Sequence, residues 1–234
     1  MSKIILIETS TALCSTALVE DGKIICYKES GTPRSQASLT AKFVKEMLDG
    51  QGIAMSDCDA VCVSAGPGSY TGLRVGVSTA KGLCFAAAKP LLSVGTLEVL
   101  AAQAVADGLV PEGCRKIIPM IDARRMEVYT ATFGIDAEGR PSRLTEIEPR
   151  IIEAGSFEEE LAEGPVLFIG DGALKCREVL SSPNATFVQA CPRADAMLVP
   201  AMQEFNSGNW RDTAYFEPFY LKDFVATVSR KKLW

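Results

Sequence analysis

The residues best suited to chemistry sit where apolar runs stop. Gly66-Pro67-Gly68-Ser69-Tyr70-Thr71-Gly72 follows one such run and opens a helical pattern, an arrangement able to grip an anion. Glycines permit positive φ and close approach of another backbone or a ligand. Ser69 and Thr71 suit an N-cap, and the free N–H groups and dipole of a helix start favour negative charge. The Lys-Ser/Thr ending of a P-loop is missing, so a tight structural turn is the competing reading. Glu8-Thr9-Ser10, Asp122-Ala123-Arg124 and Gly170-Asp171-Gly172 end three other apolar runs. The candidates for facing a nucleotide or other anion are therefore Glu8, Thr9, Ser10, Gly66, Gly68, Ser69, Thr71, Asp122, Gly170 and Gly172.

Missing residue types narrow the chemistry further. The chain has no histidine, which removes His-ligated zinc, Ser-His-Asp and Cys-His catalysis, and the usual general base near neutral pH. A peptidase would need an aspartic dyad or a Ser-Lys pair, and no spacing points to either. Among eight cysteines, Cys58 and Cys62 are four apart with no second close pair. Free, partly buried thiols in a reducing cytosol are expected, and no metal site. The formal net charge of −5 supplies no protein-wide field for nucleic acid or acidic membranes. Arg124-Arg125 and Arg230-Lys231-Lys232 are local basic spots, read as solvated; Arg124, Arg125, Lys222 and Arg230 supply the alternative of phosphate contacts. No run approaches the roughly 20 apolar residues of a membrane span. Lys3 precedes only four apolar residues before Glu8, too few for a secretory leader. A cytoplasmic protein without membrane contact is the expectation.

The elements that position these turns occur twice. Strands over 4–7, 15–19 and 24–27 are followed by a helix over 38–48, a buried strand over 60–64 and a helix after the glycine loop. Asp21-Gly22 between alternating apolar runs marks a hairpin. The second half repeats the order: strands over 116–121, 127–133 and 144–147, a helix over 157–161, a strand over 166–169, then Gly170-Asp171-Gly172 and a helix over 173–180. This predicts an α/β protein of duplicated βββαβα lobes, 1–100 and a smaller 101–234 with a terminal tail, with a cleft between them. Actin-like (ASKHA) ATPases and sugar kinases are organised in this way.

The helix after the glycine loop carries Gly76, Ala80, Cys84 and Ala88 at four-residue steps. A glycine inside a helix costs about 1 kcal/mol relative to alanine, and Gly76 and Gly82 both fall there. Close helix packing would offset that cost, because small residues let two helix backbones approach. The bland partner is the chain's own helix over 38–48; the sharper one is another subunit. The candidate partner surface comprises Leu39, Phe43, Met47, Leu73, Gly76, Val77, Ala80, Leu83 and Cys84.

Ser64-Ala65-Gly66-Pro67-Gly68-Ser69-Tyr70-Thr71-Gly72-Leu73-Arg74-Val75-Gly76 resembles the signature of the TsaB (YeaZ) family. Ile5-Leu6-Ile7-Glu8-Thr9-Ser10, Ile121-Asp122-Ala123-Arg124-Arg125-Met126-Glu127-Val128-Tyr129, Gly170-Asp171-Gly172-Ala173 and Pro218-Phe219-Tyr220-Leu221-Lys222 extend the likeness in order along the chain. The resemblance implies an actin-like fold and a part in making threonylcarbamoyladenosine at position 37 of tRNA. It implies a non-catalytic scaffold that pairs with a metal-binding TsaD transferase, is joined by a TsaE ATPase, meets tRNA through the complex, and forms a homodimer when isolated. The first two helices, 38–48 and 71–88, would form the shared bundle. No intrinsic cofactor is implied, and ATP or ADP would sit at the cleft or the partner interface. Glu8 stands where the family commonly has Asp, and the approach Arg34-Ser35-Gln36-Ala37-Ser38 lacks a histidine that many relatives carry. The alternative is an autonomous actin-like kinase or ATPase with Asp122 as its base.

Overall fold

The computed structural model describes residues 2–222; the basic run Arg230-Lys231-Lys232 lies outside the described residues. β1 (Lys3–Glu8), β2 (Cys14–Glu20) and β3 (Lys23–Ser30) form an antiparallel meander. Asp21 and Gly22 turn its second hairpin with φ of 47° and 72°, as their dipeptide predicts. β4 (Ala60–Ser64) adds parallel to β1, and β5 (Leu91–Val94) parallel to β4, giving the order β3-β2-β1-β4-β5. β1 is buried on both faces. Ile4 and Leu6 enter one core, while Ile5 and Ile7 enter another beneath α1 (Gln36–Gln51) and α2 (Tyr70–Ala87). A central strand of this kind reads as an unbroken apolar run.

The second sheet contains β6 (Lys116–Asp122), β7 (Glu127–Thr130), β8 (Phe133–Ile135), β9 (Pro141–Arg143), β10 (Glu148–Ile151), β11 (Val166–Ile169) and β12 (Ala185–Val188). Its main path, β10-β7-β6-β11-β12, repeats the first sheet strand for strand. In each, a central strand pairs antiparallel with its hairpin partner and parallel with the strand that ends in glycine. α4 (Glu158–Glu163) and α5 (Ala173–Cys176) take the places of α1 and α2. The predicted duplication is present, with a much reduced helical layer in its second copy.

Three second-half expectations need correction. The strand over 127–133 is split: β7 pairs with the end of β6, whereas β8 pairs with its start. The break lies opposite Pro119, which has no N–H to give, and Thr130 Oγ1 donates to the Pro119 carbonyl at 2.8 Å. Residues 144–147 form no strand but link β9 to β10, because Leu144 N donates to Thr132 O (2.8 Å) and Thr145 Oγ1 accepts from Thr132 N (2.9 Å). The helix over 173–180 ends at Cys176 and continues as turns.

α3 (Thr96–Ala106) lies between the lobes. Leu97, Leu100, Ala101 and Ala104 pack on Ile117, Ile121, Leu167 and Ile169 of the second sheet, while Val99 faces the first with Met197 and Ala201. A division at residue 100 therefore cuts a helix that serves both lobes. The chain after residue 193 also returns to the first lobe, bringing α6 (Leu198–Asn206) with it. Ala194 N donates to Ser15 Oγ (2.9 Å), Arg211 N to Leu91 O (2.8 Å), and Lys81 Nζ to Ala214 O and Phe216 O (3.0 and 3.1 Å). All eight cysteines are free. No helix among the described residues is long and apolar enough to cross a membrane.

Candidate functional site

In the first lobe, the glycine loop closes directly on the turn after β1. Ser69 N donates to Ser10 O at 2.6 Å, and a Cβ added at Gly68 would lie 2.4 Å from that same carbonyl. Only glycine admits this approach. Ser69 Oγ caps α2 by accepting from Gly72 N at 3.3 Å, as its N-cap position predicts. Thr9 Oγ1 donates to Gly72 O at 2.8 Å, and a Cβ at Gly76 would stand 2.3 Å from Thr9 Oγ1. Glu8 is fully buried and accepts from Ser10 N at 2.6 Å, while its second oxygen has no partner among the described residues. Burial pushes its carboxyl up to about 6, since desolvation disfavours the charged form.

The second lobe builds the same junction with different side chains. Gly170 (φ 141°) brings β11 so near β6 that a Cβ there would lie 2.1 Å from Met120 O. Gly172 N donates to that carbonyl at 2.9 Å, and Asp122 N donates to Asp171 Oδ1 at 2.8 Å. Burial raises the Asp171 carboxyl above its ordinary range. Asp122 Oδ1 accepts from Arg124 N at 2.8 Å and pairs with Lys175 Nζ at 2.5 Å. Lys175 also donates to Glu127 O at 2.7 Å, so its ammonium is fixed over the carboxylate.

Both junctions open onto one cavity of about 790 Å³ between the lobes. Ser10, Gly68, Ser69, Thr71 and Asp122 line it, five of the residues singled out from sequence. Glu8, Thr9, Gly66, Gly170 and Gly172 do not; they lie beneath the turns and hold their shape. Sequence reasoning passed over Thr11, which lines the cavity, and Lys175, which neutralises Asp122, and it quoted Arg34 and Tyr220 without assigning them to the site they line. Lys175 three residues beyond Gly172 was a usable signal, because a lysine soon after a glycine turn reaches back toward it. Tyr220 lies in a stretch that carries the family likeness, but its place at the cavity depends on contacts more than a hundred residues away. Residues 219–222 strap the two lobes together: Phe219 N donates to Ala65 O at 2.7 Å, the Tyr220 ring centre lies 4.9 Å from that of Tyr70, and Lys222 pairs with Glu127.

The helical surface differs from the one expected. Met47, Leu73, Gly76, Val77, Ala80 and Cys84 are buried inside the first lobe, so they offer nothing to another subunit. The small-residue row faces the chain's own sheet, and its closest approach is to Thr9 and Val63. Leu39, Phe43 and Leu83 are half-buried. The outward stripe instead carries Ala37 and Ala41 on α1, with Ser78, Gly82 and Phe85 on α2. Phe85 is 85% exposed.

Two lobes with one repeated sheet order, each joining a glycine turn to a strand-end acid across a cleft, define an actin-like protein. Residues 32–229 match a family model described as TsaD, tRNA N6-adenosine threonylcarbamoyltransferase. TsaB of Escherichia coli is 30% identical over 230 residues, covering 96% of each chain. TsaB of Bacillus subtilis is 31% identical over 171 residues, covering 71% of this chain and 70% of that one. The solved structure of YeaZ from Pseudomonas aeruginosa superposes with a TM-score of 0.82 at 26% identity, over 94% of this chain and 100% of that one. The chain belongs to the TsaB (YeaZ) family.

Proposed function

We propose that this chain is a non-catalytic assembly subunit in threonylcarbamoyladenosine synthesis on tRNA, docking a TsaD-type transferase through the outward faces of α1 and α2. The likeness to tRNA threonylcarbamoyladenosine biosynthesis proteins along most of their length supports the process. Gly82 carries the docking face. It lies inside α2, yet a Cβ there would meet nothing within 4 Å, so no contact within the described chain offsets its cost of about 1 kcal/mol. A second backbone crossing close at Gly82 would, with the exposed Phe85 ring as its apolar anchor. In the absence of the transferase, a second copy of this chain uses the same face. A TsaE-type ATPase and tRNA join through the assembled cytoplasmic complex, and ATP or ADP occupies the cleft or the partner interface.

The strand-end carboxylates favour a supporting role over the kinase reading. Asp122, the candidate base, is held by Lys175, and Glu8 is buried away from the cavity. Co-elution of the chain with the TsaD-type subunit of its own organism tests docking. Gly82→Leu should weaken the complex by roughly 10-fold or more through overpacking while the isolated chain stays folded. Undiminished pairing of Gly82→Leu would refute the face. Threonylcarbamoyl transfer to tRNA by the isolated chain would refute the non-catalytic assignment.

A further inference from the structure

The turn over 212–216 lies against α2 and is held from two sides. Asp212 Oδ1 accepts from Ala214 N at 2.8 Å and from Tyr215 N at 3.2 Å, and Phe216 N donates to Asp212 O at 2.8 Å. An aspartate that bonds the backbone two residues on fixes a turn locally. From α2, Lys81 Nζ donates to Ala214 O and Phe216 O at 3.0 and 3.1 Å, so the backbone on both sides of Tyr215 is fastened to the helix. Phe216 packs against the core that holds Val77, Ala80 and Cys84, while Tyr215 beside it is 83% exposed. The Tyr215 side chain has no hydrogen bond or ring contact among the described residues. Phe85, one helical turn beyond Lys81 on the same flank of α2, is 85% exposed. Among the described residues no other large apolar side chain passes 62%. A single exposed aromatic needs no explanation. Two that adjoin one lysine, one of them on a fastened turn, form the preorganised aromatic anchor of an interface.

Charge selects the occupant. Arg74 and Lys81 are the only charged residues of α2, and neither has a carboxylate partner among the described residues: Arg74 lies over the Tyr70 ring and Lys81 holds carbonyls. The charges of α1 cancel, Lys42 against Glu46 and Lys45 against Asp49. A second copy seated on this face would set two more cations against these two, and like charges across an interface disfavour a pairing. We propose that the turn over 212–216 forms a third wall of the docking face beside α1 and α2, with Tyr215 as its anchor. The occupant is a surface of the TsaD-type transferase that carries carboxylates opposite Arg74 and Lys81; a second copy is the weaker fit. Two such rings bury roughly 300–500 Å², a large share of the roughly 800 Å² that each partner gives to a stable interface. Lys81 is a positioning residue, acting through the turn it holds. This inference rests on the docking reading above and deepens it.

Isothermal titration of the full chain with the TsaD-type subunit of its own organism, over a range of salt, tests the wall, with self-association followed by sedimentation equilibrium. Tyr215→Ser should weaken the heteromeric pair by roughly 10-fold or more while the chain stays folded, since an exposed side chain contributes little to the fold. Tyr215→Phe should keep most of the affinity, because the ring is what packs. Raising the salt should weaken the pair, and Arg74→Gln should flatten that dependence; self-association should not weaken with salt. Affinity for the transferase unchanged in Tyr215→Ser overturns the third wall, as does a loss confined to self-association. A heteromeric pair that salt does not weaken overturns the acidic occupant. Gly82→Leu separates this inference from the reading beneath it. Pairing lost in Gly82→Leu but kept in Tyr215→Ser refutes the wall alone, whereas pairing kept in both refutes the face and the wall together.

Discussion

Gly76→Ala and Gly82→Ala make the same chemical change less than two turns apart in α2, and the structure gives them opposite signs. At Gly76 the added Cβ would lie 2.3 Å from Thr9 Oγ1 and 3.4 Å from Val63 Cγ2. The hydroxyl cannot move freely, because it donates to Gly72 O at 2.8 Å beneath the glycine loop. Overpacking costs about 1–3 kcal/mol and a lost buried hydrogen bond about 1 more, against a gain of about 1 from helix propensity. Gly76→Ala should therefore destabilise by roughly 1–3 kcal/mol. At Gly82 nothing lies within 4 Å, so only the propensity term acts, and Gly82→Ala should stabilise the isolated chain by about 1 kcal/mol. Urea unfolding gives both values from midpoints at unchanged slope. Repeating it at two protein concentrations separates fold stability from dimerisation, because a dimer shifts its midpoint by mass action. A neutral Gly76→Ala would refute the sheet-facing packing of that row. A destabilised, concentration-independent Gly82→Ala would show that Gly82 serves the fold itself.

Two further outcomes follow from buried charge. The Glu8 carboxyl is raised from 4.5 to about 6 by burial, so the folded state binds the extra proton and this group's contribution to stability is lost as pH rises through that window, by about 2 kcal/mol in all. Glu8→Gln should remove that slope, and equal pH dependence of the two proteins between pH 4 and 7 in urea melts would refute the burial. Arg193 clamps α3 to the segment before α6, with Nη1 and Nη2 each 2.9 Å from Asp107 and Nε 3.0 Å from Asp195. After allowing for its partial exposure, Arg193→Ala should cost about 1–2 kcal/mol; a change below about 0.5 kcal/mol would assign the inter-lobe joint to apolar packing alone.

The legible parts of the fold were those with a period or a turn residue of their own. β4 and β11 have the predicted bounds because each is a short apolar run closed by glycine. α1 was legible from its apolar stripe and glycine stop, and α2 from the glycine loop that opens it, although a left-handed Ala88 rather than a glycine ends it. α3 was not, since Leu97, Val99, Leu100, Ala101 and Ala104 are all fully buried between two sheets, and a helix buried all round shows no stripe. β5 and β12, four residues each, have too little pattern to count as strands without the neighbours they pair with. At the site, the turns were legible but their burial was not. Glu8 and Ser10 are two residues apart, yet one is under the turn and the other lines the cavity. Likewise the four-residue step from Gly76 to Ala80 and Cys84 marked a closely packed face without saying whether sheet or subunit covers it.

The duplication shows which features backbone geometry imposes and which side chains are free to change. In each lobe the last residue of the central strand turns its carboxylate back to the N–H two residues on, Glu8 to Ser10 at 2.6 Å and Asp122 to Arg124 at 2.8 Å. In each, glycine lets the neighbouring strand end close on the backbone just before or after that acid, at Ser10 O in one lobe and Met120 O in the other. These contacts recur because no side chain larger than hydrogen fits them. Charge compensation does not recur. Asp122 is half-exposed and answered by Lys175, whereas Glu8 is buried with no ion-pair partner among the described residues and is driven toward its neutral form. Of the two strand-end carboxylates only Asp122 lines the cleft, and Lys175 already pairs with one of its oxygens. Among the described residues, the cations that line the cleft are Arg34 from the first lobe, Arg124 from the second and Lys222 on the strap. The two lobes therefore share one backbone junction and differ in the charge built around it.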